Sequence, residues 1–432
     1  SQRSADAISV VDMLHPKSVI EDSSSADLLR AKISVGTPGV SDIPGELAAT
    51  GNGTRAYVPL EDSGQVALVD LMALRQVDAD AETPEVEPIP LPEGATPVAV
   101  VIDSDDEYAY VADKNGGRIY VLDVNPESDS YHEVVKTIAL ELNNDSAELR
   151  QMAINADGRR LFVTASYGQI YVVNIDSLDR PKEGESNLSD WWEQIGALAT
   201  ATGAMGLAAT SDPLKMTFTN GSSFTDAKGF GVLEITNDYP LEFEATANYL
   251  NLGLNFATDY FDVDEGVAVT VMKDGEYAFV AGRDTRGNAG TSFFPDKREG
   301  GNIGIIKDPL GDNPQLVAAT RPIPGSLTNN VSLTGDDKFL LASYPTLSGG
   351  GAVYGFDVEE IIETIESLEA RASGEDGGEV YWLDSFNRGE GSVAFDEGSQ
   401  RSATLGDLAV VPIDDINPEI SVAADYEIIG GN

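Results

Sequence analysis

Residues Val98–Val124 read VAVVIDSDDEYAYVADKNGGRIYVLDV. Three short β-runs stand there in a fixed order. Val98–Ile102 is apolar and Asp103–Glu107 is an acidic turn. Tyr108–Ala112 then alternates aromatic and small side chains. Lys114–Gly117 is a glycine-containing loop, and Arg118–Val124 is a third run carrying Asp123 near its end. Period-two alternation bounded by Gly, Asn and Asp is the pattern of strands joined by hairpins. One such meander cannot bury its apolar faces alone, so the fold depends on whether the chain repeats it.

The chain does repeat it. With the turn between the first two strands as register mark, the unit recurs at Asn52–Gly53 (LAATGNGTRAYVPL), Asp105–Asp106, Asp157–Gly158 (AINADGRRLFVTA), Asp274–Gly275 (VTVMKDGEYAFVAG) and Asp336–Asp337 (VSLTGDDKFLLAS). Weaker copies stand at Ser211–Asp212 (LAATSDPLKMTFT) and Glu397–Gly398 (VAFDEGSQRSATL). The marks lie roughly 50 to 60 residues apart, a spacing that suits propeller repeats carrying loop insertions. Third-strand endings match as well: QVALVD, RIYVLD, QIYVVN, GVLEIT and AVYGFD. Ala7–Asp12 (AISVVD) supplies one more third strand with no partners before it, and the last unit supplies a first and second strand near the C-terminus. That split predicts a ring closed by strands from both ends, which leaves no sheet edge exposed at the seam. Gly406–Ile413 (GDLAVVPI) competes with Ala7–Asp12 for the third-strand place.

Units built as an apolar run, a D-G-like turn, YVA(D/N), then G-x-(I/V)-x-V-(I/L)-D resemble the YVTN-type β-propeller repeats of bacterial and archaeal surface-layer and exported proteins. The residues that carry the resemblance are Tyr110–Asp113 with Ile119–Asp123, Phe162–Thr164 with Ile170–Asn174, Phe279–Ala281, and Tyr57–Pro59 with Val66–Asp70. It spans nearly the whole chain in five good and two degraded copies. The expected fold is therefore all-β, a single seven-bladed β-propeller over residues 1–416 with a helical insertion at about 357–373. The stretch 417–432 is expected to lead into a further domain. Such a motif specifies a fold far more strongly than a function.

Composition narrows the function. The 432 residues carry 27 Lys plus Arg against 73 Asp plus Glu, a formal charge of −46, while 41% of residues are apolar, enough for an ordinary core. A field of that sign repels phosphate backbones and anionic lipid heads, so neither nucleic acid nor membrane insertion is expected. It suits bound cations or a saline medium, and equally a plain solvated acidic surface. Cysteine is absent, which excludes disulfides, thiolate catalysis and Cys-based zinc sites. No run reaches the ~18 apolar residues of a membrane span. The chain opens SQRSADAISVVD without a signal peptide, and the expectation is a module of a longer exported protein, extracellular or cell-surface, with the periplasm as the alternative.

Only two histidines exist, His15 and His132. Neither sits where a Ser-His-Asp triad would need it, and multi-histidine metal sites are excluded by count. There is no G-x-S-x-G elbow, no G-x-x-x-x-G-K loop and no dinucleotide fingerprint after a strand. Carboxylates remain. Asp103, Asp105 and Asp106 crowd one turn, and Asp262, Asp264 and Glu265 crowd another (DYFDVDEG). Oxygen ligands at alternating positions suit Ca²⁺, although neither stretch has EF-hand spacing. Asp also fills hairpin turns for its local backbone bonds, a competing account of both clusters. Trp191, Trp192, Tyr249, Tyr260 and Phe261 fall in stretches read as loops. They could form a platform for a protein or glycan partner, or cover blade edges. Asp357–Ser373 reads as a helix capped by Asp357, with Ile361, Ile362, Ile365 and Leu368 on one face.

The functional expectation is a non-enzymatic binding or scaffold module, for adhesion or contact with a partner or with neighbouring subunits of a surface assembly. The rival is a propeller enzyme, such as a lactonase or a carboxylate-based hydrolase or lyase. An enzyme would gather polar groups at the channel mouth, whereas a scaffold would show apolar or aromatic loops on one face.

Overall fold

The computed structural model describes residues 7–11, 29–37, 42–79, 86–181, 190–200, 203–220, 229–252, 266–282, 300–320, 323–324, 327–345, 351–372, 381–383, 392–395, 408–409 and 427–429. Its strands form antiparallel meanders arranged as a propeller-like ring. The second blade shows the plan: Pro97–Ile102, Tyr108–Asp113, Arg118–Asp123 and Val134–Ala139 pair in sequence order. The third blade repeats it with Leu149–Ile154, Arg160–Ala165, Gln169–Asn174 and Glu193–Ala199. The fourth uses Ala204–Ala209, Lys215–Asn220, Gly229–Asn237 and Glu244–Asn251. First strands of neighbouring blades touch, Ala204–Ala209 against Gly266–Val271 for example, and so define the inner ring.

Six blades are each built around one of the first six register marks, where seven were expected. The difference lies in the fourth strand. The sequence pattern showed three strands per unit, because outer strands are half-exposed and vary in composition: Val134–Ala139 alternates exposed and covered side chains. The sixth blade's own outer strand, Ser392–Phe395, was thereby counted as the start of a seventh hairpin; it pairs with Gly351–Asp357 instead. Glu397–Gly398 lies outside the described residues. Strands from the two chain ends share a further sheet in the order Leu29–Ser34, Ala7–Val11, Glu427–Ile429, Leu408–Ala409. It touches the first blade through Leu29–Ser34 and the sixth through Leu408–Ala409, with Ala7–Val11 between Leu29–Ser34 and Glu427–Ile429.

Apolar layers between blades hold the ring together. Phe162, Ile170 and Val172 of the third blade pack on Phe218 and Leu233 of the fourth, all fully buried. Each such side chain contributes about 1.5–3 kcal/mol on burial. The weak fourth repeat is a complete blade because its inward positions remain apolar, despite the altered turn. Gly300–Lys307, missed in the sequence because GGNIGIIK carries three glycines, is the third strand of the fifth blade.

One helix, Val358–Ala372, stands among the described residues. The Asp357 carboxylate accepts the Glu360 amide at 3.2 Å, the expected cap. Ile361 and Ile365 are buried against the fifth and sixth blades, with Ile362 partly so. No described helix is long and apolar enough to cross a membrane.

Candidate functional site

The antiparallel plan gives the ring two faces. Turns between first and second strands, and between third and fourth strands, lie on one face, called here the turn face. Turns between second and third strands, and the links between blades, lie on the other, the link face.

The Asp103 cluster is on the turn face, where its carboxylates serve the backbone. Asp103 accepts the Glu107 amide at 2.8 Å and the Tyr108 amide at 3.1 Å. Burial lifts its carboxyl to about 6 despite those two donors. Asp106 adopts a left-handed φ of 54° and reaches back to the first blade, accepting the Gly51 amide at 2.7 Å and the Asn52 amide at 3.4 Å. Asp337 repeats the bond from the sixth blade to the fifth, accepting the Lys273 amide at 2.8 Å. Asp105 is exposed beside them. Among the described residues no three His, Asp or Glu side chains converge as metal ligands would. We expect Asp106→Ala to cost about 1 kcal/mol in chemical denaturation, from the lost bonds and from replacing Asp, which tolerates positive φ, by a residue that tolerates it less well. Asp106→Gly should cost less, because only the bonds are lost.

Trp191 and Trp192 lie on the same face. Their rings stack at 3.6 Å, and Tyr108 meets Trp192 edge-on at 5.0 Å. The Arg180 guanidinium sits 5.2 Å from the Trp191 ring centroid, and Trp192 donates to the Tyr110 hydroxyl at 3.3 Å. The pair thus packs on the edge of the second blade. Tyr249 is elsewhere: it belongs to the outer strand of the fourth blade, not a loop, and lies edge-on to Phe218 at 5.5 Å. Tyr260, Phe261, Asp262, Asp264 and Glu265 lie outside the described residues. The flanking strand ends, Asn251 and Gly266, are on the link face, opposite the Asp103 cluster.

His132 bridges the first two blades. Its Nδ1 lies 3.3 Å from the Ala79 carbonyl and its Nε2 3.3 Å from the Tyr57 hydroxyl. The carbonyl can only accept, so Nδ1 carries the proton and Nε2 accepts from Tyr57. Burial holds the imidazole below its ordinary value of 6.5. Its lowered value gives a stabilisation present above pH 6.5 and lost as pH falls toward the folded-state value. Asp103, with a raised value, runs oppositely: its contribution is full below 3.8 and lost as pH rises through about 6. The stability advantage of wild type over His132→Gln should therefore shrink between pH 7.5 and 5.5 in denaturation curves; an unchanged difference would count against the bridge.

The most organised part of the turn face joins the third and fourth blades. Arg160, 2% exposed, donates from Nε to Asp238 Oδ1 at 2.7 Å, from Nη2 to the Asp238 carbonyl at 2.7 Å, and from Nη1 to Asn174 Oδ1 at 2.7 Å. Arg159 holds Asp176 at 3.0 Å and approaches Asp238 at 3.9 Å. Burial pushes Asp238 up against the pull of Arg160. These bonds anchor Asp176 and Asp238, which lead into two short 3₁₀ turns, Ser177–Asp179 and Pro240–Glu242. At their tips Leu178 is 79%, Tyr239 74% and Leu241 81% exposed, with Leu214 at 44% nearby. Sequence reading missed this patch. Its trace is a leucine set among acids in DSLDR and YPLE, and the Arg159–Arg160 pair in a chain poor in bases.

On the link face, two second strands end on buried polar side chains. Asp113, fully buried, accepts from the Thr96 hydroxyl at 2.8 Å and the Tyr120 hydroxyl at 2.9 Å. Asn220 holds the same register place in the fourth blade, where glycines 203 and 231 replace those two partners. No described group bonds its side chain.

No protein-family model matches the chain, and no curated protein matches it in sequence. Solved structures do match. Kuenenia stuttgartiensis hydrazine synthase superposes over 77% of this chain and 80% of its own at 13% identity, with a TM-score of 0.55. A Lactobacillus plantarum protein matches over 83% and 92% at 11% identity, with a TM-score of 0.52. A suspected 6-phosphogluconolactonase of Bacteroides fragilis matches over 82% and 91% at 14% identity, with a TM-score of 0.51. At such identities the likeness is one of architecture, and the architecture they share with this chain is the β-propeller.

Proposed function

We propose that this chain is a non-enzymatic binding module that presents its turn face to a partner, and that it belongs to an exported, acidic surface protein of the YVTN type. The observation that carries the reading is the trio Leu178, Tyr239 and Leu241, large apolar side chains more than 70% exposed on two turns anchored by one arginine pair. Single exposed apolar residues need no explanation, whereas adjoining ones mark interaction sites. The Arg159–Arg160 network holds the turns in place before any partner arrives, which lowers the ordering cost of binding. The expected partner is a protein or a glycan.

The test compares wild type with Leu178→Ser/Tyr239→Ser/Leu241→Ser, each immobilised against an extract of the source cells. Wild type should retain a defined protein or glycan that the triple variant loses at an unchanged melting temperature. Saturable hydrolysis of a lactone by the purified chain would favour the enzyme reading instead.

The charge of −46 supports a cation-rich medium outside the cell, with Ca²⁺ the proposed ion at the acidic stretches. Millimolar Ca²⁺ should raise the melting temperature more than matched Mg²⁺ or NaCl. A native-state ligand at a hundredfold excess over Kd adds about 2.7 kcal/mol. An equal response to all salts would reduce the effect to screening of the surface.

A further inference from the structure

We infer that the turn-face patch of the third and fourth blades takes a basic protein segment bearing apolar side chains; this rests on the binding reading above and names the partner's chemistry. Two observations fix that chemistry. First, Leu178 and Leu241 stand on turns that follow Asp176 and Asp238, the two carboxylates that the Arg159–Arg160 pair holds. The face therefore offers two exposed apolar contacts tied to one arginine pair, suited to apolar side chains presented in series.

Second, the charges around those contacts are unbalanced. Every described base there is already engaged. Arg160 is buried on Asp238, Arg180 holds Glu107 and the Tyr108 and Trp191 rings, and the Lys215 ammonium donates to the Leu310 carbonyl at 2.9 Å. Asp157, Glu242 and Glu244 are exposed at the rim and carry no ion pair among the described residues. An apolar contact rimmed by unpaired carboxylates attracts Lys or Arg flanking apolar side chains, and repels acidic segments and anionic lipid. The whole-chain charge of −46 acts in the same sense at long range and raises the encounter rate with a basic partner.

The probes are three synthetic 18-residue peptides, alternating Lys/Leu, Glu/Leu and Lys/Ser, with vesicles of phosphatidylcholine and of phosphatidylserine as separate arms. Binding is read by fluorescence anisotropy at low and high NaCl. The Lys/Leu peptide should bind at least tenfold tighter than either other peptide. Leu178→Ser/Leu241→Ser should weaken it at least tenfold, Glu242→Lys/Glu244→Lys should weaken it further at low salt, and both variants should melt as wild type does. Equal Lys/Leu binding to wild type and Leu178→Ser/Leu241→Ser would overturn the inference, since it would report general attraction to an acidic protein. Patch-dependent binding to vesicles in place of peptide would overturn it in favour of a membrane. If the triple variant loses a natural partner while no peptide binds wild type, the binding reading stands and the basic class falls.

Discussion

Arg160→Ala should lower the unfolding free energy by about 3 kcal/mol, the cost of removing one member of a buried pair. The guanidinium is 2% exposed and makes four donor contacts, two of them to Asp238. Its loss strands the Asp238 carboxylate and the Asp238 carbonyl in a partly dry setting, while the Asn174 amide oxygen and the Arg159 carbonyl keep the amides of Asp176 and Ile175. Arg159→Ala gives the control: its side chain is 40% exposed, and screened surface pairs contribute under about 1 kcal/mol. The double variant Arg160→Met/Asp238→Asn should recover part of the loss, because the stranded charge goes with its partner. Denaturant midpoints at constant slope decide the matter. Arg160→Ala costing no more than Arg159→Ala would mean the network is not what holds the two turns, and the preorganised patch would lose its physical basis.

Phe218→Ala should cost about 3–5 kcal/mol, the range for truncating a buried aromatic side chain. Phe218 is fully buried and lies directly across from Gly231 in the fourth blade. A Cβ at Gly231 would stand 2.2 Å from Phe218 Cζ, so the ring occupies the space a side chain would fill. Gly231→Ala should accordingly cost about 1–3 kcal/mol by overpacking. In the double variant Phe218→Leu/Gly231→Ala the costs should sum to less than their separate values, since the shorter side chain vacates the clash. Strict additivity would show that the ring does not rest on the glycine. The same arrangement explains the degraded fourth repeat, where a glycine and a phenylalanine across the ladder replace the Tyr120–Val111 pair of the second blade.

The register marks and strand endings carried the architecture because they report local chemistry. A turn needs Asp, Asn or Gly at fixed places, and a buried strand needs an unbroken apolar face. Asp103, Asp157 and Asp274 all fall in turns for that reason, and the helix after Asp357 was legible from its cap and its isoleucine spacing. Outer strands were not legible, because one face meets solvent and its composition drifts; that alone turned Ser392–Phe395 into a supposed seventh hairpin.

By itself, then, the sequence determined the all-β repeat, the single described helix, the joining of the two chain ends in one sheet and the acidic field. Tertiary structure alone decided which side chains meet. Arg159 and Asp238 are 79 residues apart, and Leu178 and Leu241 are 63 apart. No local pattern relates them, since their proximity comes from two blades standing side by side. A patch made of two turns from different blades exists only once the ring has formed.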